Sequence, residues 1–357
     1  MSLDTNQFVN RLVEEGFNYM CVVPCSFAKH LINAAINNEK MVYIPCASEA
    51  VLVSVAAGLK MSGEKPIIIV QSSGITNMGS NITSLLKPYD VTVAMIVSWR
   101  SYKEGDSEIQ HKHLSTNLPS LISAYGYEYV ILDKHDIEKT INQIKVSDQS
   151  HTVCLLENNT FLKVELDDEF KLDFLANKPR SEFLSVLNEK YKKSNILFIG
   201  TTGNTAREMY KFMNDTKNFY MAGNMGGALS LGVGAAFSGR RVIVCGGDAE
   251  FVMHMGGLTT AGRYREKLNL TYILFDNESN KSTGGQGTYQ DHMNYIDIVK
   301  NSNFIVHEKV IKTVPEFKSL IDLFDQIDGL RFIHVKCGFD EEVPRPPLNI
   351  LKESKFK

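Results

Sequence analysis

Apolar, β-rich runs alternate with helix-length segments along most of the chain. In the first half the predicted strands are residues 19–23, 41–44, 66–71 and 91–97, and the predicted helices are residues 27–37, 49–61 and 77–86. Continuous apolar strands separated by helices indicate a parallel sheet that is covered by helices on both faces. The same alternation returns from residue 196 to residue 335. The pattern therefore predicts an α/β protein with two doubly wound parallel-sheet domains.

A charged segment interrupts this alternation between the two halves. Residues 163–180 carry a cluster of acidic side chains and contain Pro179 near their end, a composition typical of a connecting segment. We therefore expect a first domain over residues 1–165, a linker over residues 166–182 and a second domain over residues 183–357.

Composition narrows the class of protein. The chain has 357 residues, of which 43% are hydrophobic and 22% are charged, and its net charge is −3. That balance is typical of a globular cytoplasmic protein with two domains, and the lack of a Lys/Arg block argues against a nucleic-acid surface. No apolar run reaches the ~20 residues of a membrane span, and the first residues do not resemble a signal peptide. Six cysteines without a Cys-x-x-Cys spacing are interpreted as reduced core thiols.

Acidic and amide residues follow two predicted strands in the second half. One apolar run ends in Gly247-Asp248-Ala249, and the next ends in Asp276-Asn277, so that Asn277 follows Asp248 by 29 residues. In a parallel α/β sheet the carboxyl ends of the strands emerge at one edge, where ligands bind. Carboxylate and amide oxygens suit Mg2+, which takes one or two protein oxygens together with oxygens of a phosphorylated ligand. The pattern predicts a metal–diphosphate site, although Asp and Asn are also common turn residues.

Three other segments supply residue types that such a ligand needs. Glu49 precedes a helix of small residues and has two interpretations, a catalytic acid or an ordinary first-turn acid facing the helix dipole. The loop 201–205 follows a predicted strand and offers N–H groups and hydroxyls to an anion at a helix N-terminus. The glycine-rich segment 222–232 permits close approach to a flat ring and is equally suited to tight helix packing on a sheet.

Together these segments resemble the thiamine-diphosphate enzymes, in which Gly-Asp-Gly is followed about one helix and one strand later by Asn-Asn. The resemblance implies thiamine diphosphate and Mg2+ as cofactors, and a pyrimidine-binding domain followed by a diphosphate-binding domain. It implies that Glu49 hydrogen-bonds the aminopyrimidine and thereby activates the thiazolium carbon. It also implies a homodimer or higher oligomer with active sites between subunits.

The same resemblance implies a set of binding residues. The expected cofactor-binding residues are Glu49, Thr202, Gly203, Thr205, Gly223, Met225, Gly247, Asp248, Ala249 and Asn277. The expected metal ligands are Asp248, Asn277 and Ser279.

Short segments over nearly the whole chain resemble one branch of that family, the phosphonopyruvate decarboxylases with their sulfopyruvate decarboxylase relatives. These are the segments 23–27, 71–77, 83–85, 98–100, 108–111, 201–203, 253–256 and 282–286. The resemblance implies non-oxidative decarboxylation of the 2-keto acid 3-phosphonopyruvate to phosphonoacetaldehyde and CO2, in phosphonate biosynthesis. Sulfopyruvate or another 3-substituted pyruvate is the open alternative.

A dianionic substrate needs hydrogen-bond donors and positive charge. Donors are expected from the loop residues Cys25, Ser26, Ser73, Gly74, Ser282 and Thr283. Arg100 and Lys281 are the candidate cations, and the alternative for each is a solvated surface cation. His111 is the candidate catalytic proton donor or anion partner. His254, which lies between two methionines on a predicted helix, is expected to pack in the core.

The chain departs from the family pattern at the metal motif. Ala249 replaces Gly, Glu250 replaces a small residue, and Asp276-Asn277 replaces Asn-Asn. A carboxylate near a diphosphate costs about 1 kcal/mol unless it points away or joins the metal shell.

Other functions are less consistent with the sequence. A carboligase is disfavoured by the lack of a middle domain, and a nicotinamide enzyme by the lack of Gly-x-Gly-x-x-Gly. A non-catalytic module with the thiamine fold is disfavoured because Glu49 and Asp248 are both present.

Overall fold

The computed structural model describes residues 2–102, 109–173, 177–215, 217–340, 343–347, 349–350 and 356. Its contacts divide the chain into two compact units. The first unit comprises Met1–Lys171 and Asn280–Gly287, and the second comprises Leu172–Ser279 and Thr288–Lys357. The segment Asn280–Gly287 therefore groups with the first unit, although it lies within the expected second domain.

Parallel strands form the sheet of the first unit. They are β1 (Tyr19–Val22), β2 (Val42–Pro45), β3 (Pro66–Gln71), β4 (Ala94–Ser98), β5 (Glu128–Ile131) and β6 (Thr152–Leu156). Their order is β2-β1-β3-β4-β6-β5. Every residue of β4 and β6 is buried, as expected for central strands that are covered on both faces. The order of the strands reverses between β1 and β3.

The second unit contains a sheet of the same kind. Its strands are β7 (Leu197–Gly200), β8 (Phe219–Tyr220), β9 (Val242–Gly247), β10 (Leu270–Asp276), β11 (Ile305–Val306) and β12 (Leu330–Lys336). They run in parallel in the order β11-β12-β10-β9-β7-β8. Here the order of the strands reverses between β7 and β9.

Helices connect the strands and cover the sheets. Those of the first unit are α1 (Thr5–Glu14), α2 (Lys29–Ile36), α3 (Glu49–Met61), α4 (Gly74–Asn77), α5 (Gly79–Asn81), α6 (Lys112–Ala124) and α7 (Ile137–Gln149). Those of the second unit are α8 (Arg180–Tyr191), α9 (Asn204–Phe212), α10 (Ala228–Ala236), α11 (Asp248–Met253), α12 (Gly256–Arg263), α13 (Tyr295–Lys300) and α14 (Val314–Phe324). Each unit has its own apolar core. The predicted fold class, two α/β units with parallel sheets, is confirmed.

The local structure differs from the expectation at the segment 77–86, where a single helix was predicted. The structure has the short helices α4 and α5, followed by a π-helix over Ile82–Leu86. A β-carbon on Gly79 would lie 2.6 Å from the Tyr125 hydroxyl oxygen, so a larger residue at position 79 would have to displace the Tyr125 side chain. The interrupted helix begins directly after β3 and carries Gly74 and Asn77 at its start.

One expected core residue lies at the surface. His254 is exposed and follows the end of α11, so the prediction that it packs in the core is wrong. Across the described parts of the chain, no helix combines the length and the apolar character needed to cross a lipid bilayer.

Candidate active site

The reversals in strand order locate a crevice at the carboxyl edge of each sheet. In open α/β sheets, ligands bind outside the strand ends at the point where the order reverses. In the first unit the loops after β1 and β3 begin at Val23 and Ser72, and in the second unit the loops after β7 and β9 lead to Thr201 and Asp248. The expected binding residues that lie in or directly next to these loops are Cys25, Ser26, Ser73, Gly74, Thr202, Gly203, Thr205, Gly247, Asp248 and Ala249.

Glu49 is the first residue of α3, and its side chain is only 3% exposed. The side chain of Ser48 accepts a hydrogen bond from the Val51 N–H at 3.4 Å and thus caps the helix. Ser48, and not Glu49, therefore supplies the side-chain cap of α3. Oε2 of Glu49 accepts a hydrogen bond from Nδ2 of Asn77 at 2.9 Å, which fixes the direction of this buried acid.

Arg100 is buried, which excludes the interpretation of a solvated surface cation. It is 6% exposed and follows β4. Its Nη1 donates a hydrogen bond to the hydroxyl of Ser26 at 2.9 Å, and its guanidinium carbon lies 4.4 Å from the centre of the Phe27 ring. A buried guanidinium held by a hydroxyl and an aromatic face is suited to binding an anion.

The other residues expected at the substrate lie close in sequence to these groups. Cys25 is buried and precedes a short 3-10 helix over Ser26–Ala28. Ser73 is half-buried and precedes α4, which begins at the buried Gly74. His111 is 7% exposed and lies at the N-terminal end of α6.

The segment Asn280–Gly287 is a tight loop. The carbonyl oxygen of Asn280 accepts hydrogen bonds from the N–H groups of Thr283, Gly284 and Gly285 at 2.9, 3.1 and 3.0 Å. Lys281 and Ser282 are exposed at its tip, and Thr283 is half-buried. The three side chains expected to contact substrate are therefore presented by one compact loop of the first unit.

In the second unit, Asp248 is a buried acid at the first position of α11. It is 3% exposed, and its Oδ2 accepts a hydrogen bond from the Thr288 hydroxyl at 2.9 Å. Burial, followed by the neighbouring Asp276 carboxylate, raises the pKa of Asp248 to about 7. A bound divalent cation would offset both effects.

Asn277 and Ser279 continue the expected metal site after β10. Both are buried, and Oδ1 of Asn277 accepts a hydrogen bond from the Ser279 N–H at 3.2 Å. Across the described residues, no three His, Cys, Asp or Glu side chains form a metal centre. A Mg2+ ion would therefore depend on Asp248, the Asn277 amide, a backbone oxygen and the oxygens of its ligand, a donor set typical of Mg2+–diphosphate.

Asp276 is paired with two residues that sequence reasoning missed. Its Oδ2 interacts with Nε2 of His334 at 3.0 Å and with Nζ of Lys336 at 3.1 Å. Burial alone would raise the pKa of Asp276, but the hydrogen bond from His334 and the charge of Lys336 lower it. Polar residues two positions apart at the end of the apolar strand β12 were the available signal, because they share one face of the sheet.

Two loops of the second unit meet beside the expected cofactor. The hydroxyl of Thr202 donates to the Ala222 carbonyl at 2.9 Å, which connects the loop after β7 to the segment that carries Gly223 and Met225. Gly203 has a φ of +86°, a backbone conformation that favours glycine. Thr205 is buried in the first turn of α9.

Thr201 is a further donor that the sequence did not single out. Its hydroxyl is buried and has no hydrogen-bond partner among the residues that the structure describes. A buried unpaired hydroxyl is costly unless a ligand or water satisfies it, so Thr201 fits a loop that binds a polar ligand.

Glu250, one of the residues at which the chain departs from the family pattern, is 4% exposed and is hydrogen-bonded within the second unit. Its Oε2 accepts a hydrogen bond from the Tyr272 hydroxyl at 2.9 Å, and the carboxylate also accepts from the N–H groups of Gly247 and Ala228. Ala228 is the first residue of α10, so the acid lies at a favourable end of the helix dipole. Burial raises the pKa of Glu250 to about 7.

Both halves of the chain match domains of known function. The N-terminal TPP binding domain of thiamine pyrophosphate enzymes matches residues 5–119, and the C-terminal TPP binding domain of these enzymes matches residues 199–316.

Curated relatives cover most of the chain. It is 27% identical to a phosphonopyruvate decarboxylase of Streptomyces viridochromogenes, over 93% of this chain and 88% of the relative. It is 26% identical to a sulfopyruvate decarboxylase of Methanosarcina acetivorans, over 90% of this chain and 88% of the relative. A part of the chain is 39% identical to the beta subunit of a sulfopyruvate decarboxylase of Methanothermobacter thermautotrophicus, over 39% of this chain and 72% of that subunit.

Proposed function

Since the chain belongs to the thiamine pyrophosphate enzyme family, we propose that it decarboxylates 3-phosphonopyruvate to phosphonoacetaldehyde and CO2, with thiamine diphosphate and Mg2+ as cofactors. The predicted family is confirmed by the domain matches and relatives. The chain is a carboxy-lyase that acts on a 3-substituted pyruvate, because the relatives that align with 90% or more of it are decarboxylases of such acids. The choice of the phosphonate among these acids is the proposal.

The observation that supports thiamine-dependent decarboxylation is the arrangement of Glu49, whereas the choice of the phosphonate depends on Arg100 and the residues around it. The carboxylate is buried and accepts a hydrogen bond from Asn77, while Ser48 caps the helix. An acid fixed in this way is suited to a hydrogen bond with the ring nitrogen of an aminopyrimidine. When bound, thiamine diphosphate supplies a carbon nucleophile for the keto group and accepts the electron pair released with CO2.

Asp248, Asn277 and the Ser279 backbone are assigned to the Mg2+ ion that anchors the diphosphate. Gly203, Thr205, Gly247 and Ala249 belong to the two loops at the reversal of strand order, where N–H groups point at anionic ligands. The unpaired hydroxyl of Thr201 supports a polar ligand in the same place.

Arg100 and Ser26 are assigned to the anionic head group of the acid. Arg100 matches a phosphonate or a sulfonate by two parallel hydrogen bonds. Lys281, Ser282 and Thr283 add charge and donors from the loop Asn280–Gly287, and His111 is assigned as proton donor or anion partner. We also propose that the minimum functional assembly is a homodimer, in which one subunit supplies Glu49 and its partner supplies the Mg2+ site.

The direct test is CO2 release by purified protein supplied with thiamine diphosphate and Mg2+. The substrates are 3-phosphonopyruvate, 3-sulfopyruvate and pyruvate at equal concentrations. We expect kcat/KM to be highest for the phosphonate and lowest for pyruvate, which has no anionic head group. A higher kcat/KM for the sulfonate would replace the proposed substrate, and no release from any of the three acids would contradict the function itself.

A further inference from the structure

A buried pair of amide side chains fastens the loop Asn280–Gly287 to helix α2. Gln286 is 0% exposed and Asn33 is 1% exposed. Nε2 of Gln286 donates a hydrogen bond to Oδ1 of Asn33 at 2.7 Å. Nδ2 of Asn33 in turn donates to the carbonyl of Val164 at 2.9 Å, so the Asn33 amide is oriented by a partner on each side.

The loop is built around Gln286. The Asn280 N–H donates to the Gln286 carbonyl at 2.8 Å and closes the loop at its base. A β-carbon on Gly284, whose φ is +151°, would lie 2.5 Å from Nε2 of Gln286. The glycine therefore lets the backbone wrap around the side chain of Gln286. A displacement of this side chain would displace the loop tip with Lys281 and Ser282.

The anchoring helix also leads to the buried cation. The 3-10 helix Ser26–Ala28 continues directly into α2, and Ser26 accepts the hydrogen bond from Arg100 at 2.9 Å. Asn33 lies seven residues after Ser26, about 10 Å along a helix at 1.5 Å per residue. One rigid element thus connects Arg100 to the loop that carries Lys281.

We propose that Gln286 and Asn33 are positioning residues that fix the loop Asn280–Gly287 on α2, so that its polar tip and Arg100 select an acid with an anionic head group. The pair itself does not contact substrate. This inference rests on the proposed function, because it assumes that the tip residues bind the acid. It adds a reason for selectivity, since a held loop binds the head group without an ordering cost for each substrate molecule.

The test replaces Gln286 by methionine, which has a similar length and no hydrogen-bonding amide. Gln143→Met is the matched control, because Gln143 belongs to the same unit and makes two side-chain hydrogen bonds, both at 2.9 Å, to Asp133 and Ile131. Asn33→Asp is a second disrupting variant, since it replaces the amide donor to the Val164 carbonyl by a carboxylate oxygen. Should Gln286→Met not fold, Gln286→Asn shortens the connection by one methylene and retains the amide.

Two readouts separate positioning from general stability. In Gln286→Met we expect KM for 3-phosphonopyruvate to rise about 10- to 100-fold, with a much smaller change in kcat and in KM for pyruvate. Hydrogen exchange of the amides of residues 283–285 should become faster in the same variant. The control Gln143→Met should change neither readout, and Asn33→Asp should change both in the same direction as Gln286→Met.

The outcomes distinguish the two proposals. If the unmodified protein releases CO2 from no acid, the proposed function fails, and the hydrogen-exchange readout still tests the anchoring pair. If the unmodified protein is selective and Gln286→Met keeps both its selectivity and slow exchange in the loop, the inference is overturned.

Discussion

A β-carbon placed on Gly74 would lie 2.7 Å from Oε1 of Glu49. The two residues belong to different elements, since Glu49 begins α3 and Gly74 begins α4. The carboxylate therefore occupies the space that any other residue at position 74 would fill. Asn77, on the same short helix, holds the second carboxylate oxygen.

This relationship predicts that Gly74→Ala disables the enzyme through Glu49. The added methyl group would displace the carboxylate, and we expect kcat to fall about 100-fold, since small misplacements of catalytic groups have effects of that size. Cofactor affinity, measured by fluorescence titration, should change little. Gly58→Ala is the control, because a β-carbon on Gly58 meets no atom within 4 Å, with oligomeric state followed by size exclusion. Equal activities of the two variants would show that Gly74 does not set the position of the acid.

Replacing Arg100 by lysine keeps the positive charge and removes the planar guanidinium group, which can form two parallel hydrogen bonds. We expect KM for 3-phosphonopyruvate to rise about tenfold, which corresponds to about 1.4 kcal/mol, while KM for pyruvate stays nearly constant. Arg265→Lys, an exposed arginine paired with Glu266, controls for the substitution itself. An unchanged KM for the phosphonate in Arg100→Lys would remove Arg100 from the head-group site.

The raised pKa of Asp248 predicts how stability depends on pH. In protein freed of metal and cofactor by EDTA, the folded pKa is about 7 and the unfolded value is about 4. The folded state therefore binds this proton more tightly than the unfolded state does. The resulting contribution to the free energy of unfolding is complete below about pH 4 and is lost as pH rises to about 7. We expect the urea midpoint to fall between pH 5 and pH 8.

The matching variant is Asp248→Asn, which cannot ionise. Its midpoint should fall less steeply over the same range, although Glu250, whose pKa is also about 7, retains part of the slope. Mg2+ with thiamine diphosphate should raise the midpoint of the unmodified protein more at pH 8 than at pH 5, because the cation binds the ionised carboxylate. If the urea midpoints of the unmodified protein and of Asp248→Asn fell equally steeply with pH, the assignment of the raised pKa to Asp248 would be contradicted.

Cysteine reactivity provides an independent check of how the cysteines of the two units are buried. Cys46 is half-buried, and a hydrogen bond from the Cys21 thiol lowers the pKa of Cys46. Burial raises the pKa of Cys154, Cys245 and Cys337 to about 12. Because the thiolate is the reactive form, iodoacetamide should modify Cys46 well before these three, as followed by peptide mass spectrometry. Cys46→Ser should eliminate the fast phase, and early modification of the three buried thiols would contradict the arrangement.

Local patterns were sufficient for much of the fold. The helix at 49–61 and the strand at 66–71 occur with the predicted bounds, because a capping serine and a continuous apolar run are local features. Asp248 and Asn277 were placed at a sheet edge because strand ends can be recognised from the sequence. The segment 77–86 was not predicted correctly, since a turn at Met78 and a π-helix over Ile82–Leu86 interrupt the expected α-helix.

Contacts between distant segments could not be predicted in this way. The pairing of Asp276 with His334 and Lys336 depends on the register of β10 beside β12, which no local window contains. Gln286 and Asn33 are 253 residues apart, so the grouping of their loop with the first unit required the three-dimensional structure. Glu250 lies on α11 and its hydrogen-bond partner Tyr272 lies on β10, so this pairing could not be recognised from a local stretch of sequence either.

The central claim is that Glu49 activates thiamine diphosphate. The most direct measurement is the rate at which the C2 proton of the bound cofactor exchanges with deuterium, followed by proton NMR after acid quench. We expect Glu49→Gln to bind cofactor and Mg2+ normally and to slow this exchange by a factor on the order of 100 to 10,000, the usual range for loss of a proton-transfer group. Exchange as fast in Glu49→Gln as in the unmodified protein, at equal cofactor occupancy, would contradict the account.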